Sequence, residues 1–149
     1  MQLCRDVASD ATVTLAEPLA KEGIVLSAGI LPRYSDIDTY HMMASIIDLA
    51  VRRSVAAGAD PDHIAGLDNF CWPDPVQSEK TPDGEYKLAQ LVRANMALYD
   101  CTKAFKVPCI SGKDSMKNDI PALAGGFLTT SATWEAPDIH FLVSYVSGT

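Results

Sequence analysis

Apolar and polar residues change period several times along this chain, and each change marks an element. Weak alternation in Ala11–Leu15 places an edge strand or an arm within residues 1–21. The run Glu22–Ile30 is compact and β-branched and is closed by Pro32, which predicts a strand. Pro32–Asp38 is a loop. Asp36 or Asp38 then caps a helix in which Tyr40, Met43, Ala44, Ile47, Ala50, Val51, Ser54 and Val55 recur at spacings of three and four. Asp48 and Arg52 stand one turn apart on that helix, and Gly58 followed by Pro61 ends it. His63–Cys71 predicts a second strand, stopped by Trp72-Pro73-Asp74-Pro75, and polar residues through Gly84 form a loop. A second helix spans Glu85–Phe105, with Leu88, Leu91, Val92, Asn95 and Tyr99 in phase. Val107–Ser111 is a short, buried-looking strand that leads directly into a polar loop, Gly112–Asp119. A loop rich in Gly, Thr and Ser precedes the last strand, Ile139–Val146. Strand–helix–strand–helix–strand alternation predicts an α/β fold, and with no repeat and no linker residues 1–149 read as one domain.

Charge narrows the partners. A net charge of −7 opposes long-range attraction to nucleic acid or to an anionic membrane surface, so neither is expected as a partner. A phosphate would have to be held by local donors, meaning backbone N–H groups and a placed Lys or Arg. Cys4, Cys71, Cys101 and Cys109 form no CxxC pair and have no His at zinc-ligand spacing, which favours buried free thiols in a reducing compartment. No basic stretch leads into an apolar one and no apolar run approaches ~20 residues, so a cytoplasmic, soluble protein is expected.

Two segments concentrate chemistry. Ser111–Asp119 gathers Gly112, Lys113, Asp114, Ser115, Lys117 and Asp119 directly after a buried strand, where ligands of α/β sheets bind. Gly112 would let backbone N–H groups approach a phosphate, Lys113 and Lys117 would neutralise it, and Asp114 or Asp119 would take Mg²⁺ with its water shell. No Gly stands five residues before Gly112, so this is not a Walker A loop. A solvated turn of mixed charge is the alternative for the same residues. Asp68 and Asn69 end an apolar run, a costly place for them unless they are hydrogen-bonded, cap the next turn or meet a ligand. Arg33 follows a strand and precedes a helix cap, within reach of an anion. His41, His63 and His140 have no nucleophile at a telling spacing, and no catalytic dyad is readable.

Four blocks in order carry a resemblance. They are Ile30–Met43, Ile47–Asp60, Leu67–Pro75 with its Asp-Asn-Phe-Cys-Trp-Pro, and Val107–Asp119 with its Ser-Gly-Lys-Asp-Ser. They share order and spacing across about two-thirds of the chain and resemble the second AIR-synthetase-like half of the phosphoribosylformylglycinamidine synthase family (FGAM synthetase). The resemblance implies an AIR-synthetase N-terminal-like domain of α+β type, with a small mixed sheet packed with helices and a sheet face that pairs with a partner domain. It implies part of an ATP- and Mg²⁺-dependent ligase of purine biosynthesis, which converts formylglycinamide ribonucleotide, ATP and glutamine-derived ammonia to the amidine, ADP and phosphate. Gly112 would then meet nucleotide and Ser115 would face substrate. Lys113 stands where many members place a metal-binding Asn, so its ammonium would touch phosphate instead. Leu49 and Arg53 replace a Glu and an Asn that in some members help hold an auxiliary metal-bound nucleotide. Nothing resembles the catalytic-His half or a glutaminase, so the chain alone is expected to be inactive and, with its pairing face open, a homodimer. The alternatives are another ATP-dependent enzyme of that superfamily, or a non-catalytic dimerisation domain that has lost its ligands.

Overall fold

The computed structural model describes residues 9–118 and, over 138–147, the backbone alone. Five strands form one sheet in the order β1-β2-β5-β3-β4. They are β1 (Ala11–Leu15), β2 (Gly23–Gly29), β3 (Ala65–Cys71), β4 (Cys109–Ser115) and β5 (Asp138–Ser147), with helices α1 (Thr39–Ala56) and α2 (Gly84–Phe105). Every neighbouring pair is antiparallel except β3 and β4, which α2 joins as a crossover. The sheet is therefore mixed, and its last strand lies at the centre, between β2 and β3.

Alternation sorts the two faces. Val25, Ser27 and Gly29 of β2 are buried toward α1, whereas Leu26, between them, is exposed on the opposite face. Helix α1 lies on β2 and β5 and packs lengthwise against α2. Its buried residues Met42, Met43, Ile46, Ile47, Ala50 and Val51 meet Ala94 and Ala97 of α2, with Ile64, Phe70, Trp72 and Val107 completing the core. The predicted α1 face holds in outline, but Val55 is exposed. A buried hydroxyl pair adds a polar tie, because Ser27 Oγ donates to the Ala50 carbonyl at 2.7 Å and touches Ser54 Oγ at 2.7 Å.

Helix ends follow the chemistry of their caps. Asp38 accepts from the His41 N–H at 2.9 Å, opening α1 as a short carboxylate should. Arg93 of α2 pairs with the other oxygen of that carboxylate, so the same cap also joins the two helices. At the far end Gly58 takes φ of 102°, and the N–H groups of Gly58 and Ala59 return to the carbonyls of Val55 and Ser54. That is a Schellman closure on the residue type that favours it. Helix α2 closes the same way on Lys106, whose φ is 56°.

Three expectations need correction. The second strand begins at Ala65, because His63 is held in a turn by Asp60, its N–H donating to the Asp60 carbonyl and its ring meeting the carboxylate. Gly112–Ser115 is strand and not loop, since β4 keeps its register with β3 as far as Ser115. Third, α2 turns Lys87, Ala94 and Ala97 inward, with Leu91, Leu98 and Cys101 partly buried against the core, and leaves Leu88, Val92, Asn95 and Tyr99 exposed. Small alanines let α2 approach α1 closely, and that contact outweighed the larger side chains in choosing the buried face. The edge strand within residues 1–21 is β1, whereas the Gly/Thr/Ser-rich loop lies outside the described residues.

A left-handed lysine is an avoidable cost. Lys106→Gly is expected to stabilise the chain by about 0.5–1 kcal/mol, the relief of a Cβ in the left-handed region less the added freedom of the unfolded chain. Urea denaturation of both proteins at neutral pH measures the difference, and an unchanged or lower midpoint refutes it.

Candidate functional site

The carboxyl ends of β3 and β4 lie side by side because α2 carries the chain back to start a parallel neighbour. Register pairs Asp68 with Gly112, Asn69 with Lys113, Phe70 with Asp114 and Cys71 with Ser115. Paired residues share a face. Asp68, Gly112 and Asp114 therefore lie on the side of buried Phe70, and Asn69, Lys113 and Ser115 on the other. The two candidate segments of the sequence thus lie side by side, and the sheet divides their residues between its two faces.

On the helix side, the Asp68 carboxylate covers Gly112. A Cβ at position 112 would stand 3.0 Å from Asp68 Oδ2 and 3.1 Å from Oδ1, so a side chain there would press the carboxylate aside. Burial raises the Asp68 pKa, its own backbone N–H opposes this, and the Asp114 charge raises it further. The Cys109 thiol, though exposed at its surface, has its pKa raised by desolvation against the neighbouring strand and then by the Asp68 charge. On the opposite face, the Lys113 ammonium reaches Ser115 Oγ, and Asn69 keeps a buried side-chain oxygen without a hydrogen-bond partner.

Trp72 holds this corner together. Its indole is fully buried and donates to the Lys87 carbonyl at 3.0 Å, joining the end of β3 to the first turns of α2. Its backbone N–H donates to the Ser115 carbonyl at 2.8 Å, and its carbonyl accepts from Asn118 at 3.2 Å. Lys117, with φ of 65°, turns its ammonium to Asp74 at 3.4 Å. Lys87, nearly fully buried, pairs with Asp83 at 3.3 Å. Neither Trp72 nor Lys87 is among the residues singled out from the sequence, although a Trp directly after an apolar strand and before Pro73 is a visible cue.

The other candidates fall elsewhere. Arg33 is exposed in a 3-10 turn, Pro32–Asp36, beyond the carboxyl end of β2. That is the same end of the sheet, because Gly29 and Asp68 both pair with Phe141 of β5. Asp119 lies outside the described residues, as does Cys4. Cys109 is exposed and Cys71 and Cys101 are half-buried, so the expectation of buried thiols fails for Cys109 and holds only partly for the other two. Arg53 is a strut. It donates to the Ala28 carbonyl at 2.7 Å and pairs with Asp10 at 3.0 Å, tying α1 to the end of β2 and to the start of β1.

Among the described residues, no group of three or more His, Cys, Asp or Glu side chains gathers as a metal cage. Two carboxylates on one edge suit a cation such as Mg²⁺, which keeps its waters and takes one or two carboxylates along with phosphate oxygens. No helix among the described residues is long and apolar enough to cross a membrane.

Relatives locate this arrangement among known proteins. No family model matches the chain. A protein of Lacticaseibacillus paracasei, phosphoribosylformylglycinamidine synthase subunit PurL, is 30% identical over 155 residues, covering 94% of this chain and 20% of the relative. The chain is similar to one segment of phosphoribosylformylglycinamidine synthase. The PurL subunit of Thermoplasma volcanium is 26% identical over 111 residues, covering 74% of this chain and 13% of the relative. The chain thus spans a fifth or less of the length of these relatives. Among solved structures, PurLQS of Thermotoga maritima superposes with a TM-score of 0.64 at 20% identity, covering 93% of this chain and 20% of that one. PurL of the same organism complexed with ADP gives 0.63 over 92% of this chain and 20% of that one, also at 20% identity. Thiamine monophosphate kinase of Aquifex aeolicus reaches 0.50 at 10% identity, over 95% of this chain and 39% of that one. These likenesses bear out the AIR-synthetase-like fold expected from the sequence.

Asp68 supplies a pH signature. A carboxyl whose pKa is raised in the folded state costs nothing below about pH 4, where folded and unfolded chains both hold the proton. As pH climbs through the folded value, the native state must ionise a half-buried group beside Asp114, and stability is lost. Asp68→Asn should therefore stabilise the chain more at pH 7 than at pH 4, read as the difference in urea midpoints. An equal effect at both pH values would sink the assignment.

Proposed function

We propose that the chain forms one wall of the ligand site of an ATP-dependent phosphoribosylformylglycinamidine synthase. The reading rests on one observation, a pair of like charges held together without need. Asp68 and Asp114 stand on adjacent strands, and the Asp114 charge adds to burial in making ionisation of Asp68 harder. A fold gains nothing from that repulsion, whereas a bound cation removes it. Asp114 and Asp119 would hold Mg²⁺, with Asp68 alongside, and the ion would neutralise charge on the nucleotide's phosphates. The space over Gly112 is taken by the Asp68 carboxylate, so phosphate would be met on the other face, where Lys113 offers it an ammonium and Ser115 with Asn69 meets substrate. Arg33 reaches an anion at the same end of the sheet.

In the complete enzyme the substrates are formylglycinamide ribonucleotide and ATP, and other synthetase domains and a glutaminase complete the reaction. The catalytic residues belong to those domains, so the isolated chain binds and does not turn over. The PurL structures complexed with ADP and with FGAR support both ligands for that family. The setting is the cytoplasm, with neither membrane nor nucleic acid as a partner, as the acidic balance favours. A second reading, a dimerisation domain without ligands, draws on Arg53, whose guanidinium is spent on the Ala28 carbonyl and Asp10.

Calorimetric titration separates the two readings. ATP with Mg²⁺ should bind the chain, and Asp114→Ala should weaken binding at least about tenfold, as loss of a charged ligand contact does. Absence of binding by both ATP–Mg²⁺ and the ribonucleotide, with the dimer intact, would favour the scaffold. The dimer itself is assigned to the open sheet face, where Leu26 is exposed. Leu26→Glu is expected to give a monomer through that face by light scattering, and an unchanged mass would place the contact elsewhere.

A further inference from the structure

The outer face of α2 carries a stripe that neither the core nor the ligand corner uses. Leu88 (47% exposed), Val92 (48%), Met96 (56%) and Tyr99 (62%) follow one another at helical spacing. The stripe runs along a 22-residue helix, roughly 33 Å long. Beside it lies an open, mostly apolar groove of about 550 Å³, walled on the α1 side by Tyr40. Tyr40 is pinned there, its hydroxyl donating to Asp100 at 2.9 Å. A solvent-facing helix surface normally carries charge at these positions, so a contiguous apolar stripe marks a contact.

What identifies the partner is the charge at the two ends. Glu85 continues the stripe at its amino end and Lys103 at its carboxyl end, three and four residues beyond Leu88 and Tyr99. Lys103 lies over the Tyr99 ring, 4.7 Å from its centre, in line with the apolar residues. A helix laid antiparallel on a copy of itself would set Glu85 against the copy's Lys103, Leu88 against Tyr99 and Val92 against Met96, with every contact repeated by the two-fold axis. A parallel copy would oppose like charges at both ends. We infer that α2 forms an antiparallel, two-fold seam with α2 of a second copy of this chain, separate from the sheet face. One helix pair buries a small area, so the association is weak and seen only at micromolar or higher concentrations.

Charge reversal tests this seam. Glu85→Lys and Lys103→Glu should each weaken self-association by roughly fivefold or more in sedimentation equilibrium, since each change turns two attractions into two repulsions. The double variant should restore it, because the swapped charges pair again across the two-fold axis. Both reversals oppose the helix dipole, so recovery cannot come from a better helix. Val92→Glu should abolish the step, with circular dichroism showing that the fold is kept. Repeating the series in Leu26→Glu removes association through the sheet face. Association indifferent to Val92→Glu, or a double variant no better than the singles, would overturn the seam.

Discussion

Trp72 is the joint on which the corner between β3, β4 and α2 depends. A single side chain, without solvent contact, fills the space between the end of β3 and the beginning of α2. Its indole N–H reaches α2, and both of its backbone groups reach the segment from Ser115 to Asn118. Burying an indole is favourable only if its N–H finds an acceptor, and here the acceptor is the Lys87 carbonyl in the first turns of α2. The parallel neighbour β4 is secured from the same residue through Ser115. Asp68 and Asp114 can be kept close because the strands bearing them are locked just past the point of repulsion.

That arrangement separates stability from use. Burial of Asp68, with the Asp114 charge beside it, makes its ionised form more costly in the native state. The cohesion comes from the helix pair and from residues such as Arg53 and the Asp38–Arg93 pair, whose charges are matched. Mismatched charge at a strand end and matched charge between elements are the usual division between a site and its scaffold.

Much of the backbone was legible in advance, for identifiable reasons. Asp38 and Gly58 announced the ends of α1, because capping is a local matter of a carboxylate and a left-handed backbone. The face of α2 was misread because hydrophobic size points outward there, whereas the alanines Ala94 and Ala97 make the close contact with α1. Helix-to-helix distance is a property of two segments, and no window on one of them reveals it. The extent of β4 was missed for a similar reason, since Gly112–Ser115 is polar and becomes strand only through its pairing with β3. The candidate site residues stand out in the sequence by their chemistry. Their division between two faces needed the register.

That register contains one irregularity, between Gly66 and Leu67, where β4 gains a residue on β3. Cys109 pairs with Gly66 but Ser111 pairs with Leu67, so Ile110 is the surplus. Had the strands zipped without it, Asp68 would neighbour Ser111, Lys113 would sit beside Phe70 on the helix side, and the glycine would fall beside Asn69. One uncounted residue at the entrance of β4 thus acts as a frame setting for everything downstream. In this lineage of sequences, insertion or loss of a single residue there would exchange the cationic and anionic faces of the strand at a stroke, a change no series of point substitutions in β4 could make so cheaply.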